Sequence, residues 1–357
     1  MDDSHSRTLS AGDPAPQFTG RVAGMQPVDF HNWAGRHVVL SFLGRGGVAG
    51  SAPLVDALSA RRDVFNNDFA AFCIVSADPA DEQVPLPQQP GRALFSDPDG
   101  GVSALYGLGE TRASVIMDPY QRVVTVIPMT DPASHAQEII ACLTGLARQP
   151  WARMPPPVLM LPRLFEPDLC RTLIGMFDEA RSIDLGFMRT DPVTGQSIRV
   201  SNPAVKRRRD CMIEDPRMRS LLAAHMAQRL LPEIRKAFQF DARYIERYLV
   251  ARYQADDGGF FRAHRDDTTR STAHRRFAVT VNLNDDYEGG ELIFPEFGRQ
   301  LFRPAIGGAV VFSCSLLHEA RPVLRGTRYC FLPFLHDEAA EAVRQDRFID
   351  PQLQAAS

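Results

Sequence analysis

Apolar positions in the first 150 residues follow two alternating periods. Runs of strand length are separated by stretches whose apolar residues lie three or four apart, the spacing of an amphipathic helix. The pattern predicts strands at 37–43, 71–78, 112–118 and 121–128, and helices at 52–65 and 133–148. A βαβ rhythm that closes with a hairpin and a helix is typical of a small α/β sheet domain, which we assign to residues 1–150.

The pattern changes at residues 149–158, QPWARMPPPV, because consecutive prolines cannot continue a helix. Beyond this segment the pattern predicts helices at 166–182 and 215–238, then many short strands between Arg243 and Phe334. Short strands that recur between Gly, Pro, Asn and Asp turns predict a β-sandwich or barrel. We therefore expect a mainly β domain over residues 151–340, followed by a polar tail at 341–357.

Composition excludes several classes of partner. The 357 residues carry a formal net charge of −3, which gives no overall attraction for nucleic acid or anionic membranes. The chain has no apolar run of about 18 residues and no signal-like amino terminus. Its six cysteines are scattered without a CxxC pair, which favours buried thiols in a reducing compartment. We expect a cytoplasmic protein that binds neither nucleic acid nor membrane.

The stretch GGFFRAHRDD carries the most informative residues. His264 and Asp266 are two apart, and on an extended strand such residues point to the same side. His318 follows the apolar strand AVVFSCSLL, far enough along the chain for a strand to return beside its neighbour in a β-sandwich. Two histidines and one carboxylate form the facial triad that leaves coordination positions open on Fe(II). This set predicts an oxygenase site rather than a closed structural zinc site.

Arg328 lies in the next strand, GTRYCFLPF, and its guanidinium could fork onto a carboxylate. Beside an iron triad it predicts a site for a dicarboxylate co-substrate. An HxD pair also occurs by chance, and a single His or Arg near a strand end is commonly a surface or core residue. The joint pattern, with GGEL at 289–292 and PAIGGAVVF before the distal histidine, favours the oxygenase interpretation.

Residues 156–336 resemble the prolyl-4-hydroxylase-like branch of the Fe(II)/2-oxoglutarate dioxygenases. The resemblance is carried by the HRD motif, the block LNDDYEGGELIFPEFG, the strand before the distal histidine and the segment PVLRGTR. It implies a double-stranded β-helix, or jelly roll, with His264, Asp266 and His318 as iron ligands. It also implies that Arg328 binds the C5 carboxylate of 2-oxoglutarate. Tyr253 and Asn282 are further candidate co-substrate contacts, although Asn282 could equally be a strand-edge amide.

Within this family resemblance, Asp266 indicates the type of reaction. Related halogenases have a small residue at that carboxylate, which leaves a position for halide, whereas here the position is filled. The resemblance therefore implies hydroxylation of a C–H bond with release of succinate and CO2. It also implies ascorbate as the reductant. The substrate, an amino acid, a peptide or protein residue, or a small metabolite, is left open.

The first half resembles a peroxiredoxin on a thioredoxin fold, through GDPAPQF, HVVLSFL, LFSDPDGGVSALYGL and RASVIMDP. Where that family has a threonine and its nucleophilic cysteine, this chain has Val48 and Ser51. A serine hydroxyl does not ionise as a tuned thiol does, so we expect no peroxidase activity. Cys73 lies in an apolar strand, and Arg112 at the helper-arginine position is expected to be structural. The resemblance favours a docking, dimerising or substrate-presenting module, and with it a homodimer.

The segment VKRRRDC at 205–211 is a dense basic cluster. Arg207, Arg208 and Arg209 could form a solvated loop, or a lid or substrate-recognition hairpin that favours a carboxylate- or phosphate-bearing substrate. His225 and His274 lie outside the triad spacing and are expected to be structural. A competing hypothesis for the whole chain is a redox sensor or binding protein in which the first domain carries the function and the barrel is a ligand-binding module.

Overall fold

The computed structural model describes residues 9–22, 27–66, 68–83, 91–147, 155–191 and 194–348. The chain folds into two units, Met1–Pro155 with Pro295–Gly298, and Pro156–Phe294 with Arg299–Ser357. Residues 149–154 of the predicted boundary segment lie outside the described residues. So do residues 349–357 of the predicted tail, whose first part belongs to a helix.

A seven-stranded mixed sheet forms the first unit, in the order β2-β1-β5-β4-β3-β6-β7. Its strands are β1 (Thr19–Val22), β2 (Val28–Asp29), β3 (His37–Gly44), β4 (Ala70–Ser76), β5 (Arg92–Ser96), β6 (Ala113–Met117) and β7 (Val123–Pro128). The central β3 and β4 pair in parallel and are almost wholly buried. Both faces of these strands are covered, which explains their continuous apolar sequence.

Three helices accompany this sheet: α1 (Ala52–Ala60), α2 (Gly101–Leu105) and α3 (Pro132–Ala147). Leu54 and Leu58 of α1 pack with Ile139 and Leu143 of α3 on one sheet face. An aromatic cluster that includes Phe30 covers the other face. The four strands and two helices predicted from periodicity all occur here. Helix α1 ends earlier than predicted, and β1, β2, β5 and α2 were not predicted.

The described part of the second unit contains helices and four antiparallel sheets, two larger ones and two of two strands each. The helices are α4 (Pro167–Glu179), α5 (Pro216–Arg229), α6 (Leu231–Phe238) and α7 (Glu338–Phe348). The single helix predicted at 215–238 is two helices, because Pro232 in the first turn of α6 cannot supply an amide to continue α5. Four apolar positions of α4, namely Leu169, Cys170, Leu173 and Phe177, are buried against the larger sheet.

The strands of this unit are short and pair in an antiparallel manner. They are β8 (Leu159–Leu161), β9 (Phe187–Thr190), β10 (Ser197–Val200), β11 (Lys206–Arg207), β12 (Arg209–Met212), β13 (Tyr244–Ile245), β14 (Leu249–Gln254), β15 (Phe260–His264), β16 (Phe277–Asn282), β17 (Glu288–Gly289), β18 (Leu292–Ile293), β19 (Ala309–Ser313), β20 (His318–Ala320), β21 (Val323–Arg325), β22 (Thr327–Phe331) and β23 (Phe334–His336). A four-stranded sheet has the order β11-β15-β20-β18. An eight-stranded sheet contains the path β12-β14-β22-β16-β19-β8 and is extended by β13 and β23. These sheets are consistent with the expected jelly roll.

Alternation along the larger sheet separates its two faces. Val279 and Val281 of β16 join the core formed with the helices. Their neighbours Thr280 and Asn282 therefore point to the opposite face, which we call the inner face. In register with β16, Cys330 of β22 lies opposite Asn282 and is fully buried. Polar side chains on the inner face are thus held by a rigid, well-packed sheet.

The basic segment 205–211 is not a loop or a lid. Lys206 and Arg207 form β11, which pairs with β15, whereas Arg209 and the residues after it form β12, which pairs with β14. The chain therefore passes from one sheet of the second unit to the other at Arg208. This position turns the Arg208 side chain inward, where it is 9% exposed.

Candidate metal centre

Neighbouring strands bring the two predicted histidine ligands together. His264 is the last residue of β15 and His318 the first of β20, and the two are paired in register. Asp266 follows β15 by two residues, and its backbone amide donates to the Cys314 carbonyl at 2.9 Å. Strand pairing and this loop hydrogen bond fix all three backbones.

The three side chains converge on one point. The Nε2 atom of His264 lies 3.6 Å from Oδ1 of Asp266, and the Nε2 atom of His318 lies 3.3 Å from Oδ2. One candidate ligand atom from each residue lies within 4.8 Å of the other two. Such a set fits one ion, with a histidine–histidine–carboxylate donor set that suits Fe(II).

Hydrogen bonds on the far side of each imidazole support that fit. The Nδ1 atom of His264 is 2.7 Å from the Arg262 carbonyl, and that of His318 is 3.0 Å from the Leu316 carbonyl. A carbonyl accepts only, so each Nδ1 carries the proton in the neutral ring. Each Nε2 then presents a lone pair to the centre, as a metal ligand requires.

Electrostatics give His318 and Asp266 the charges that metal ligands require. Burial and the adjacent His264 lower the pKa of His318 to about 4, so its imidazole is neutral at neutral pH. Burial works against ionisation of Asp266, but His318 and His264 outweigh it and hold the pKa of this carboxyl below its usual range. The site therefore offers neutral imidazole and ionised carboxylate together.

A buried ion pair supports the loop that carries Asp266. Arg275 donates from Nε and Nη2 to the two carboxylate oxygens of Glu246, at 2.7 and 2.6 Å. Its Nη1 lies 3.4 Å from the Asp266 carbonyl. His274 also contacts Glu246, at 3.1 Å, so it lies outside the triad. Sequence motifs did not indicate Glu246 or Arg275, because their roles depend on packing.

Arg328 lies on the inner face of β22 and is 3% exposed. Its Nε donates to Oδ1 of Asn282 at 3.3 Å, and its guanidinium is 5.4 Å from the ring centroid of Tyr253. Tyr253 and Arg328 are paired in register on β14 and β22. Asn282 donates in turn to Tyr287 at 2.7 Å. The structure thus brings together the three predicted co-substrate residues and adds Tyr287, which the block LNDDYEGG contained but periodicity did not single out.

The neighbouring Arg325 occupies a different environment. It is exposed and pairs with Glu288 at 2.5 Å on the adjacent short strand. Arg325 therefore does not share the inner-face position of Arg328.

Arg208 is neutralised within the second unit. Its Nε and Nη2 donate to the two carboxylate oxygens of Asp210, at 2.6 and 3.2 Å, and its Nη1 donates to the Tyr253 hydroxyl at 3.3 Å. Arg207 and Arg209 are exposed and donate to backbone carbonyls instead. His225 contacts Glu166 at 3.0 Å, away from the triad.

In the first unit, Ser51 is buried immediately before α1. Arg112 donates from Nη2 to the Ser51 hydroxyl at 2.6 Å. Val48 precedes the same turn, and its amide donates to Asp81. Cys73 is fully buried in β4, which raises the pKa of its thiol far above the usual value. A thiol in that state is not a nucleophile at neutral pH.

The site lies in a part of the sequence that matches the model of a known protein family. Residues 248–336 match the model of the 2OG-Fe(II) oxygenase superfamily, and this segment contains the triad and Arg328. The chain is similar to a PKHD-type hydroxylase of Delftia acidovorans, with 42% identity over 73 residues that cover 20% of this chain and 32% of the relative. A PKHD-type hydroxylase of Maricaulis maris is 34% identical over 108 residues, 27% of this chain and 48% of the relative. The matches thus span less than half of each of these relatives.

Solved structures with similarity to this chain include two prolyl hydroxylases. A Pseudomonas putida prolyl-4-hydroxylase aligns with 51% of this chain and 92% of its own, at 21% identity and a TM-score of 0.38. A viral collagen prolyl hydroxylase from Paramecium Bursaria Chlorella virus-1 aligns with 50% and 94%, at 15% identity and a TM-score of 0.37. The 2OG-Fe(II) oxygenase family implies Fe(II) and 2-oxoglutarate. None of the described helices combines the length and hydropathy needed to cross a bilayer.

Proposed function

We propose that this protein is an Fe(II)- and 2-oxoglutarate-dependent dioxygenase that hydroxylates a C–H bond. The observation that carries the proposal is the convergence of His264, Asp266 and His318 within 4.8 Å, inside the segment that matches the oxygenase family. Bound Fe(II) would supply the activation of O2. One oxygen atom enters succinate as CO2 leaves 2-oxoglutarate, and the other becomes the substrate hydroxyl.

The protein side chains hold and orient the reactants. His264, Asp266 and His318 would bind the iron through Nε2, a carboxylate oxygen and Nε2. Because Asp266 fills the carboxylate position, hydroxylation is favoured over halogenation. A triad clamped by strand pairing and by the Arg275–Glu246 pair needs little rearrangement to accept the ion, which lowers the cost of binding.

Arg328 would bind the distal carboxylate of 2-oxoglutarate, with Tyr253 and Asn282 beside it. Among the described residues no carboxylate forms an ion pair with Arg328, so a buried positive charge awaits an anion. The Tyr253 hydroxyl accepts from Arg208, which leaves its own proton to donate to a ligand oxygen. Burial raises the pKa of Tyr253, so the donor proton is retained at neutral pH.

The same proposal extends to the substrate, the reductant, the role of the first unit and the cellular setting. The substrate is a small molecule or a peptidyl residue, and ascorbate serves as reductant. The first unit, which resembles a peroxiredoxin of the thioredoxin fold without its cysteine, serves docking, substrate presentation or homodimerisation. Six free thiols support a reducing, cytoplasmic setting.

Release of succinate from 2-oxoglutarate with Fe(II) and ascorbate tests the proposal, because uncoupled turnover requires no knowledge of the substrate. We expect succinate from the unmodified protein and none from the His264→Ala or Asp266→Ala variants. Equal release by all three proteins would contradict the proposal.

A further inference from the structure

The second unit contains four buried or half-buried arginines that concern this argument: Arg208, Arg247, Arg275 and Arg328. Two of them are neutralised. Arg208 forms two hydrogen bonds with Asp210, and Arg275 forms two with Glu246. The charges of Arg208 and Arg275 are therefore each balanced by a carboxylate of the protein.

Arg247 differs from these two. It lies just before β14, and its Nε donates to the Leu332 carbonyl at 3.1 Å. In the part of the chain that the structure describes, no carboxylate is in ion-pair contact with it. Since Nε is occupied, the guanidinium edge formed by its two Nη atoms is left to bind a ligand. That edge is the fork that matches two carboxylate oxygens.

The position of Arg247 is fixed by an aromatic ring. Its guanidinium lies 4.2 Å from the ring centroid of Phe334, and that of Arg275 lies 4.0 Å from the same ring. Burial and the like charges of Arg275 and Arg208 lower the pKa of Arg247 to about 10, while the nearby carboxylates of Asp210 and Glu246 act in the opposite direction. The group is still charged at neutral pH, in surroundings where an added anion relieves repulsion.

Arg247 and Arg328 are held at separate positions, over the rings of Phe334 and Tyr253. Arg328 pairs with Tyr253, six residues along the chain from Arg247, which is about 20 Å of extended backbone. Arg275, which shares Phe334 with Arg247, contacts the Asp266 carbonyl, so Arg247 belongs to the end of the barrel near the triad.

We propose that Arg247 binds a carboxylate of the primary substrate, so that the substrate class is a carboxylate-bearing molecule or residue. This inference rests on the proposed function, in which Arg328 is already assigned to 2-oxoglutarate. It moves anion recognition away from Arg207, Arg208 and Arg209, each of which donates at least two hydrogen bonds to protein oxygens. Holding the carboxylate at Arg247 would orient the rest of the substrate toward the triad.

A matched pair of probes tests this site: N-acetylglycine and its neutral amide, N-acetylglycinamide. Each is titrated calorimetrically into the full-length protein loaded with Mn(II), with and without saturating 2-oxoglutarate. We expect saturable binding of the acid and none of the amide. Arg247→Gln should weaken binding of the acid at least about tenfold, Arg247→Lys by less, and the exposed control Arg207→Gln should leave it unchanged.

Retained binding of Mn(II) by Arg247→Gln shows that the variant is folded. Equal binding of acid and amide, no binding of the acid, or acid binding unaffected by Arg247→Gln would each overturn the inference. Inorganic phosphate binding in place of the acid, lost in Arg247→Gln, would overturn the carboxylate assignment. If the unmodified protein fails to bind 2-oxoglutarate, the proposed function fails instead, and the titration without 2-oxoglutarate still decides the role of Arg247.

Discussion

At the scale of single residues, short motifs of metal-binding side chains identify more of the candidate site than hydrophobic periodicity does. His264, Asp266 and His318 could be selected because an HxD pair and a later histidine on a returning strand are visible in the sequence. Arg247, Arg275 and Glu246 could not be, because their partners come from distant segments and belong to no local motif.

Arg328 and Arg325 provide a matched pair of variants. Arg328→Ala removes a charge-assisted bidentate contact and leaves the ligand carboxylate unpaired, which costs about 2–5 kcal/mol. The concentration of 2-oxoglutarate needed for half-maximal succinate release should rise at least about tenfold, since each 1.4 kcal/mol is tenfold. Arg325→Ala, which removes only an exposed ion pair, should have little effect. The reverse result would show that Arg328 is wrongly assigned.

The contact between Arg208 and the Tyr253 hydroxyl predicts an energetic coupling. Arg208→Gln should weaken 2-oxoglutarate binding to the Mn(II) protein at least about tenfold, the effect of about 1.5 kcal/mol or more from one hydrogen bond with a charged donor. In a Tyr253→Phe background the same change should have almost no further effect, because the hydroxyl is gone. Calorimetry on the four proteins of the cycle measures this. Fully additive effects would mean that Arg208 does not act through Tyr253, and Arg209→Gln is the exposed control.

At the scale of elements, apolar periodicity located the buried strands of the first unit because both faces of β3 and β4 are covered. It failed where tertiary pairing decides the structure. The polar segment at 205–211 forms β11 and β12 because two different sheets supply partners for its backbone. Local sequence carries no signal for such a change of sheet. Pro232, by contrast, is a local signal for the break between α5 and α6, and the prediction of a single helix at 215–238 overlooked it.

The turn before α1 predicts the outcome of a cysteine substitution. In Ser51→Cys, the Arg112 guanidinium beside the new thiol should favour the thiolate, but the position is buried, so alkylation of this thiol should be slower than that of an exposed thiol. Hydrogen peroxide consumption should also stay close to the buffer control, because Val48 lacks the hydroxyl that this family resemblance places there. A colorimetric peroxide assay measures it. Consumption by Ser51→Cys well above the buffer control would contradict the expectation, and so would consumption by the unmodified protein that is lost in Cys73→Ser.

At the scale of the whole molecule, the negative net charge does not reveal the positive charge inside the second unit. The formal charge of −3 says nothing about the inner face of the second unit, where Arg328 and Arg247 lack carboxylate partners among the described residues. Composition could exclude a generally basic surface, but only the folded chain shows which cations are already neutralised. The sheet pairing that brings together the triad and Arg328 likewise arises from the complete fold of the second unit.

Incorporation of oxygen from ¹⁸O2 into succinate tests the central claim most directly. The protein is incubated with Fe(II), ascorbate and 2-oxoglutarate under labelled O2, and the succinate is analysed by mass spectrometry. We predict one ¹⁸O atom in each succinate formed by the unmodified protein, and no labelled succinate above background from Asp266→Ala. Unlabelled succinate from the unmodified protein, or equal labelling by the Asp266→Ala variant, would contradict the account.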